Sequence, residues 1–351
     1  MTLVEQYLLE TPGKMTDMVE RSATLFAAIK DQSYDRILLV GSGTSYHSGV
    51  QIKDFMRDML GIEVSAMYPF MVNQAFLHTL QGKVLLIGIS QGGASYSTYH
   101  AMQAAQACGH HTASMAGVTD AFIDSVADYV LTVPCGEENA GAKTKGYYCT
   151  KLNLMLMTLE MAKAQSKMDA ATYEGHMDRI RQSIADFEAI YDRSAAWIEK
   201  NKEALAAAKE IRLIAPADLY GDVLEGALKL LETLRIPVSG YEFEEFIHGI
   251  YNAIDENSMI FMLDSGQEER MQTLQEVMSD WTQQIYVIGR KAAKSDKELC
   301  IDRFRDDAYQ TLQFLLPIQL MCAKIADMKG IDAAKPKDPQ FHMKLGSKRF
   351  D

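Results

Sequence analysis

The chain has 351 residues, a formal net charge of −12 and a hydrophobic content of 48%. That length admits two or three domains with sizeable cores. The acidic balance excludes a general nucleic-acid or acidic-membrane binder, leaving room for a local basic pocket that takes a small anion.

The opening MTLVEQYLLETPGK carries acids where a signal peptide has a basic end and an apolar run, so no targeting segment is expected. No apolar run reaches the roughly 18 residues that cross a bilayer. Residues 1–34 read as a helical lead-in. Ile37–Val40 is a short buried strand ending in Gly41-Ser42-Gly43-Thr44-Ser45, followed by a helix from about Tyr46 to Met59. Val84–Ile89 is a second strand, feeding Ser90-Gln91-Gly92-Gly93-Ala94-Ser95-Tyr96-Ser97-Thr98 and a helix to about Cys108. Thr112–Val118 and Tyr129–Val133 read as further strands. Short apolar runs alternating with helices call for a parallel sheet with helices on both faces.

A long helical section over about Lys151–Ala208 separates this set from a second: Ile211–Ala215, Met259–Leu263 and Ile285–Ile288. Ile37 and Ile211 are 174 positions apart (211 − 37), and Leu85 and Ile260 are 175 apart (260 − 85). The chain is therefore read as an internal duplication of one α/β domain. Its expected divisions are 1–34, a first domain 35–165, a connector 166–208, a second domain 209–330 and a tail 331–351.

The two copies differ after their second strand. The first offers Ser90, Ser95, Ser97 and Thr98 among glycines; the second offers Asp264, Ser265, Gly266, Glu268 and Glu269. Hydroxyls and glycine amides at a helix N-terminus suit a phosphate, and acids there repel it. An anion site is thus expected in the first copy only. The plainer reading of Ser90–Thr98 is a helix cap, which needs one hydroxyl where this turn has four. GSGTS lacks the later glycine and ribose-binding acid of a dinucleotide site, so no nicotinamide cofactor is expected. The five cysteines (Cys108, Cys135, Cys149, Cys300, Cys322) lack metal-ligand spacing and suit free thiols in a reducing cytoplasm.

In the second copy, Glu225, Lys229, Glu232 and Ile236 fall on one stripe of a helix, with Ala227, Leu228, Leu230, Leu231 and Leu234 on the other side, and Pro237 stops it. The acidic segment after it leads to His248. Two carboxylates, a lysine and a histidine are the parts that move protons on a sugar. The plainer reading is an i, i+4 salt bridge on a solvated face, with a structural histidine.

Leu38–Gly49 (LLVGSGTSYHSG), Ile87–Gly93 (IGISQGG) and Leu224–Glu232 (LEGALKLLE), in that order, resemble the tandem sugar isomerase (SIS) family. The likeness is to the isomerase half of glutamine–fructose-6-phosphate aminotransferase and to the free-standing fructosamine-6-phosphate deglycases, and it runs from about Leu9 to the C-terminus. It implies two flavodoxin-like SIS domains, no cofactor and a 6-phosphosugar substrate. By the resemblance Ser42, Gly43, Thr44, Ser45, Ser90, Gln91 and Ser95 line the phosphosugar site. Glu232 matches the proton-transfer carboxylate, and Glu225 and Lys229 the acid and lysine on its helix. His248 matches the ring-opening histidine, supplied in the family by the partner subunit, so a homodimer or higher even oligomer with shared sites is implied.

Gly92 and Ala94 replace the serine and acid of the family's SQSGE pattern. Lys143, in AGAKTKGYYCT (Ala140–Thr150), stands where a serine is usual, either as a charge for the substrate or as a loop lysine. Lys344 and Lys348 in the tail KDPQFHMKLGSKRF are candidates to close over the site. With only some 35 residues before the first strand, a glutaminase domain is not expected. The expected activity is that of a deglycase on a 6-phosphorylated Amadori compound, releasing hexose 6-phosphate and an amine. An aldose–ketose isomerase and a phosphosugar sensor are the alternatives.

Overall fold

The computed structural model describes residues 1–302 and 308–349; positions 303–307 of the expected second domain and 350–351 of the expected tail lie outside the described residues. Two compact units share the chain. The first comprises Glu10–Asn139, Lys145–Arg181 and Lys337–Asp351, and the second comprises Met1–Leu9, Ala140–Thr144 and Gln182–Pro336. The segment read as a connector, 166–208, is therefore divided between the units, and so is the tail, 331–336 going with the second and the rest, from Lys337, with the first.

The first unit carries the strands β1 (Arg36–Val40), β2 (Glu63–Met67), β3 (Val84–Ile89), β4 (His111–Met115) and β5 (Tyr129–Val130). They form one parallel sheet in the order β2-β1-β3-β4-β5. The second unit carries β6 (Ile211–Ala215), β7 (Val238–Glu242), β8 (Met259–Asp264), β9 (Ile285–Gly289) and β10 (Glu298–Cys300). Read from its other edge, that parallel sheet runs β7-β6-β8-β9-β10, the same order. Both are the doubly wound order in which the chain reverses direction between its first and third strands.

The duplication keeps its register over β1–β3 and β6–β8 and slips by one residue at the next pair, where Leu85 meets His111 and Ile260 meets Ile285. Ile37 pairs with Leu85 and Ile211 with Met259. Both partners thus lie 174 positions on (211 − 37 and 259 − 85), so against the first strand Met259 answers to Leu85, whereas against the next strand Ile260 does. Ile37↔Val64 and Ile211↔Val238 keep the same interval (238 − 64).

Three strands had no signal in the reading above: β2, β7 and β10. All three lie at sheet edges. An edge strand of an α/β sheet is half open, so EVSAM and VSGYE carry no continuous apolar run, unlike the central RILLV, VLLIGI and MIFMLD. Gly240 in β7 is required, because a Cβ there would lie 2.7 Å from both Val223 Cγ1 and Val223 O. The absence of a side chain lets the Tyr220–Leu234 helix press against this strand.

Each sheet packs apolar side chains against its helices. Leu38, Leu86, Met102 and Ile123 sit in one core, and Ile214, Phe246, Ile260 and Met278 in the other. The expected long helical section is three helices: Lys145–Ala164, Ala170–Ala185 and Phe187–Ala207. The first is buried on nearly every face, and the buried Glu138 carboxylate caps it by accepting the amides of Lys145 (3.1 Å) and Gly146 (2.8 Å). No helix is long and apolar enough to cross a membrane, among the described residues.

Candidate active site

In the first unit, two turns leave the C-terminal ends of β1 and β3, the strands that flank the reversal of strand order. The β1 turn runs from Gly41 into a helix, Thr44–Leu60. Gly41 must lack a side chain, since a Cβ would stand 2.8 Å from Ser45 Cβ and 2.9 Å from Ile89 O. Gly43 caps the helix at φ +53, a left-handed conformation that favours glycine. The β3 turn runs from Ser90 to Ser95 and opens the helix Tyr96–Ala107.

The hydroxyls of these turns divide into two groups. Ser95 Oγ caps its helix, accepting Thr98 N (3.4 Å) and Thr98 Oγ1 (3.2 Å), with Ser97 Oγ at 3.1 Å. The cap reading therefore holds for Ser95, Ser97 and Thr98, which are tied to one another. Ser42, Ser45 and Ser90 have no side-chain hydrogen bond to protein among the described residues. Three hydroxyls without a protein side-chain hydrogen bond, beside two helix N-termini, are the parts of an anion seat. Thr44, between them, is half-buried.

Gln91 is placed differently from a ligand-facing residue. Its Nε2 donates to Cys135 Sγ (3.0 Å), and its Oε1 accepts Thr150 Oγ1 (3.2 Å). Cβ atoms on Gly117 or Gly146 would fall 2.2 and 2.7 Å from its carboxamide, so two glycines make room for it. These partners, 44 and 59 residues along the chain, had no signal in the sequence.

The C-terminal segment lies on the β3 turn. Lys348 forms an antiparallel bridge with Ser95, Arg349 N donates to Ala94 O (2.9 Å), and Tyr96 N donates to Ser347 O (3.3 Å). Of the two tail lysines, Lys344 is engaged by Asp338 at 2.7 Å, whereas Lys348 runs beside the turn itself. Lys143 is half-buried in Ala140–Thr144, the short segment that belongs to the second unit.

The equivalent turn of the second unit is acidic, as expected. Asp264 replaces Ser90, is buried, and accepts Gly266 N at 3.0 Å. Ser265 Oγ is spent on Asp218 Oδ1 (3.0 Å). Arg270 donates to Glu268 and holds its carboxyl down at about 2. Burial pushes the Asp218 carboxyl above its usual range against the hydrogen bonds of Ser265 and Gln310.

The helix Tyr220–Leu234 of the second unit carries the carboxylate–lysine–carboxylate row. It stops at Arg235, a left-handed C-cap two residues before Pro237, so Ile236 lies beyond its end. The expected facing of its stripe is corrected here. Glu225 is 0% and Lys229 2% exposed, while Leu231, on the apolar side of the helix, is 44% exposed. Lys229 Nζ lies 2.6 Å from Glu232 Oε2 and 3.6 Å from Glu225 Oε1. Burial draws the Lys229 ammonium down, the charges of Glu225 and Glu232 push it up more strongly, and the net pKa is raised. A surface i, i+4 pair is excluded. Within the row only Glu232, at 35%, reaches solvent.

His248 ends the short helix Phe243–Ile247 and is 72% exposed. Its Nδ1 lies 2.6 Å from Glu244 O. A carbonyl only accepts, so Nδ1 donates here and Nε2 is the ring nitrogen left without a protein partner. Among the described residues its side chain bonds Glu244 alone, and no bond joins it to Glu232 of its own chain. Among the described residues, no group of three or more His, Cys, Asp or Glu is arranged to hold a metal.

This geometry separates Ser90 from Ser95 experimentally. Ser90→Ala removes a free hydroxyl, so KM for a 6-phosphosugar should rise about 10- to 100-fold, the worth of one hydrogen bond to a charged group. Ser95→Ala removes a cap and should lower stability by about 1 kcal/mol. Steady-state kinetics with thermal melts distinguishes the two; an unchanged KM in Ser90→Ala removes the anion seat from this turn.

Residues 32–160 match the SIS domain family. Over its whole length the chain is 50% identical to a proposed phosphosugar isomerase from Clostridium difficile 630, with a TM-score of 0.96 and 100% of both chains covered. It is 42% identical to a proposed sugar-binding protein from Salmonella typhimurium LT2, with a TM-score of 0.85 over 92% of this chain and 100% of that one. The fold is shared with the C-terminal domain of glucosamine-fructose-6-phosphate aminotransferase from Francisella tularensis: 19% identity and a TM-score of 0.82, over 96% and 98% of the chains. The isomerizing glutamine–fructose-6-phosphate aminotransferase of Aquifex aeolicus is 25% identical over 339 residues, 94% of this chain and 56% of its own. The chain thus spans about half the length of the curated relatives it matches. It belongs to the SIS domain family and carries that family's α/β fold twice.

Proposed function

We propose that the protein is a cytoplasmic phosphosugar deglycase, cleaving a 6-phosphorylated Amadori compound to a hexose 6-phosphate and an amine or amino acid. The observation that carries this reading is the row Glu225–Lys229–Glu232, buried except for the Glu232 carboxylate. A base held by a buried ammonium is positioned to take a proton without first reorganising solvent. The relatives above whose names include fructose 6-phosphate or phosphosugar isomerase support the substrate class.

The proposed chemistry begins with the sugar phosphate at Ser42, Gly43, Thr44, Ser45 and Ser90, with Lys348 approaching from the tail. His248 assists ring opening at the ring oxygen through Nε2. Glu232 takes a proton from C1 of the open ketosamine, the proton exchanges with solvent on the exposed carboxylate, and one is delivered to C2, while O2 gains a proton and the amine nitrogen loses one. The product is a Schiff base at C1; water adds there, and the carbinolamine collapses to glucose 6-phosphate and the free amine. Lys229 stays charged throughout and keeps Glu232 in place.

The exposure of His248, and its lack of any bond to Glu232 in its own chain, favour a site completed by a partner subunit in a homodimer. Mixing Glu232→Gln with His248→Ala subunits should then restore part of the activity, because some mixed dimers hold one intact site. No recovery after verified subunit exchange assigns both residues to one subunit's site. The function itself is tested by screening purified protein against 6-phospho-fructosyl and 6-phospho-glucosyl amino acids for glucose 6-phosphate release. Interconversion of an unconjugated aldose and ketose 6-phosphate, without deglycation, would favour the isomerase reading, which the name of the 50% identical structure supports.

A further inference from the structure

The helix that carries Glu232 ends on an arginine where glycine is usual. Arg235 caps it at φ +58 and ψ +37, and among the described residues only Asp120 and Ser166 share a positive φ without being glycine. A left-handed cap favours glycine, because a Cβ crowds the backbone there. Arg235 is exposed, and among the described residues its side chain makes one hydrogen bond, a donation to Lys335 O at 3.3 Å. No carboxylate among them pairs with its guanidinium. Glu232 is held by Lys229 at 2.6 Å, and Asp332, the acid of the stretch that Arg235 touches, is engaged by Lys335 at 3.0 Å.

That stretch, 334–336, also meets the segment that carries Lys143, and all of these residues belong to the second unit. Gly141 N donates to Ala334 O at 2.6 Å. A Cβ on Gly141 would stand 3.0 Å from Pro336 N, so the missing side chain lets Ala140–Thr144 lie against it. Three residues beyond the solvent-facing carboxylate of its row, the helix therefore presents an exposed guanidinium with no counter-charge, beside a segment bearing a further lysine.

We propose that Arg235 determines specificity by binding the α-carboxylate of the departing amine, so that the substrates are conjugates of α-amino acids and not of simple amines. This rests on the reading of Glu232 as the base that acts at C1 of a ketosamine. In such a conjugate the carboxylate carbon stands three bonds from C1, through the nitrogen, at about 4 Å. Three residues of helix rise about 4.5 Å, so a cation three positions past the base has the spacing that the substrate sets. A guanidinium presents two parallel N–H donors to a carboxylate, a stronger engagement than its single bond to a carbonyl. A cation at a helix C-terminus also complements the helix dipole. That role asks for a charge alone and lysine fills it equally, so the two roles separate by experiment.

The test compares kcat/KM of the full chain for 6-phosphofructosyl-glycine and for its decarboxylated counterpart, 6-phosphofructosyl-methylamine, by glucose 6-phosphate release. Wild type should prefer the glycine conjugate by about 10- to 100-fold, the worth of a hydrogen-bonded charge pair. Arg235→Gly should bring that ratio close to one, and Arg235→Lys should keep only part of it. Glycine suits the left-handed cap, so the Gly variant should melt no lower than wild type, which separates the effect from misfolding. Should it melt lower, Arg235→Gln carries the same comparison. A ratio in the Gly and Gln variants equal to that of wild type overturns the proposal, as does a wild type that turns over both conjugates without preference; either result leaves the deglycase reading standing. If wild type turns over neither conjugate, the deglycase reading falls and the assignment of Arg235 falls with it.

Discussion

Glu232→Gln should lower kcat roughly 10²–10⁴-fold, the usual worth of a positioned general base, and leave KM nearly unchanged. Glutamine keeps the shape and can still accept from Lys229, 2.6 Å away, but it cannot take a proton. Glu232 is the one member of its row open to solvent, so the variant should fold and bind phosphosugar as before. Near-normal kcat with a folded protein would move the proton transfer to another group. Glu225 is then a poor candidate, being fully buried and 3.6 Å from the same ammonium.

The larger effect on stability is expected at Lys229. Lys229→Met leaves Glu225 at 0% exposure without its ammonium, and removing one partner of a buried pair costs about 3–5 kcal/mol. Glu225→Gln with Lys229→Met should recover much of that loss, since no buried carboxylate charge then faces the lost ammonium. The folded pKa of Lys229 is raised above its ordinary 10.5, so its contribution is fully present below that value and is lost as pH rises through the folded one. Wild-type stability should accordingly fall at alkaline pH through a component that Lys229→Met lacks. Denaturant unfolding from pH 7 upward measures both effects. A single mutant as stable as wild type at neutral pH would restore the solvated salt-bridge reading.

The central strands were legible because they are buried on both faces and read as unbroken apolar runs; β2, β7 and β10 were not, because one side of each is an open edge. The duplication was legible from the spacing of β1 and β6, and only the pairing registers showed the one-residue slip between the third and fourth strands of the two copies. The residues of the catalytic row were legible from helical spacing, but their facing was not. Helical periodicity groups side chains on a stripe without saying which stripe is inside, and here the charges are in and Leu231 is out. The role of Gln91 was illegible for a further reason: its partners Cys135 and Thr150 come from distant segments with no motif.

The most direct measurement of the central claim is turnover of a 6-phospho-fructosyl amine by wild-type protein in deuterium oxide, followed by NMR. Proton transfer through Glu232 predicts glucose 6-phosphate release with solvent deuterium appearing at C2, both suppressed by Glu232→Gln. Tight binding of 6-phosphosugars with neither product nor exchange at C1 or C2 would contradict it and leave a phosphosugar sensor in its place.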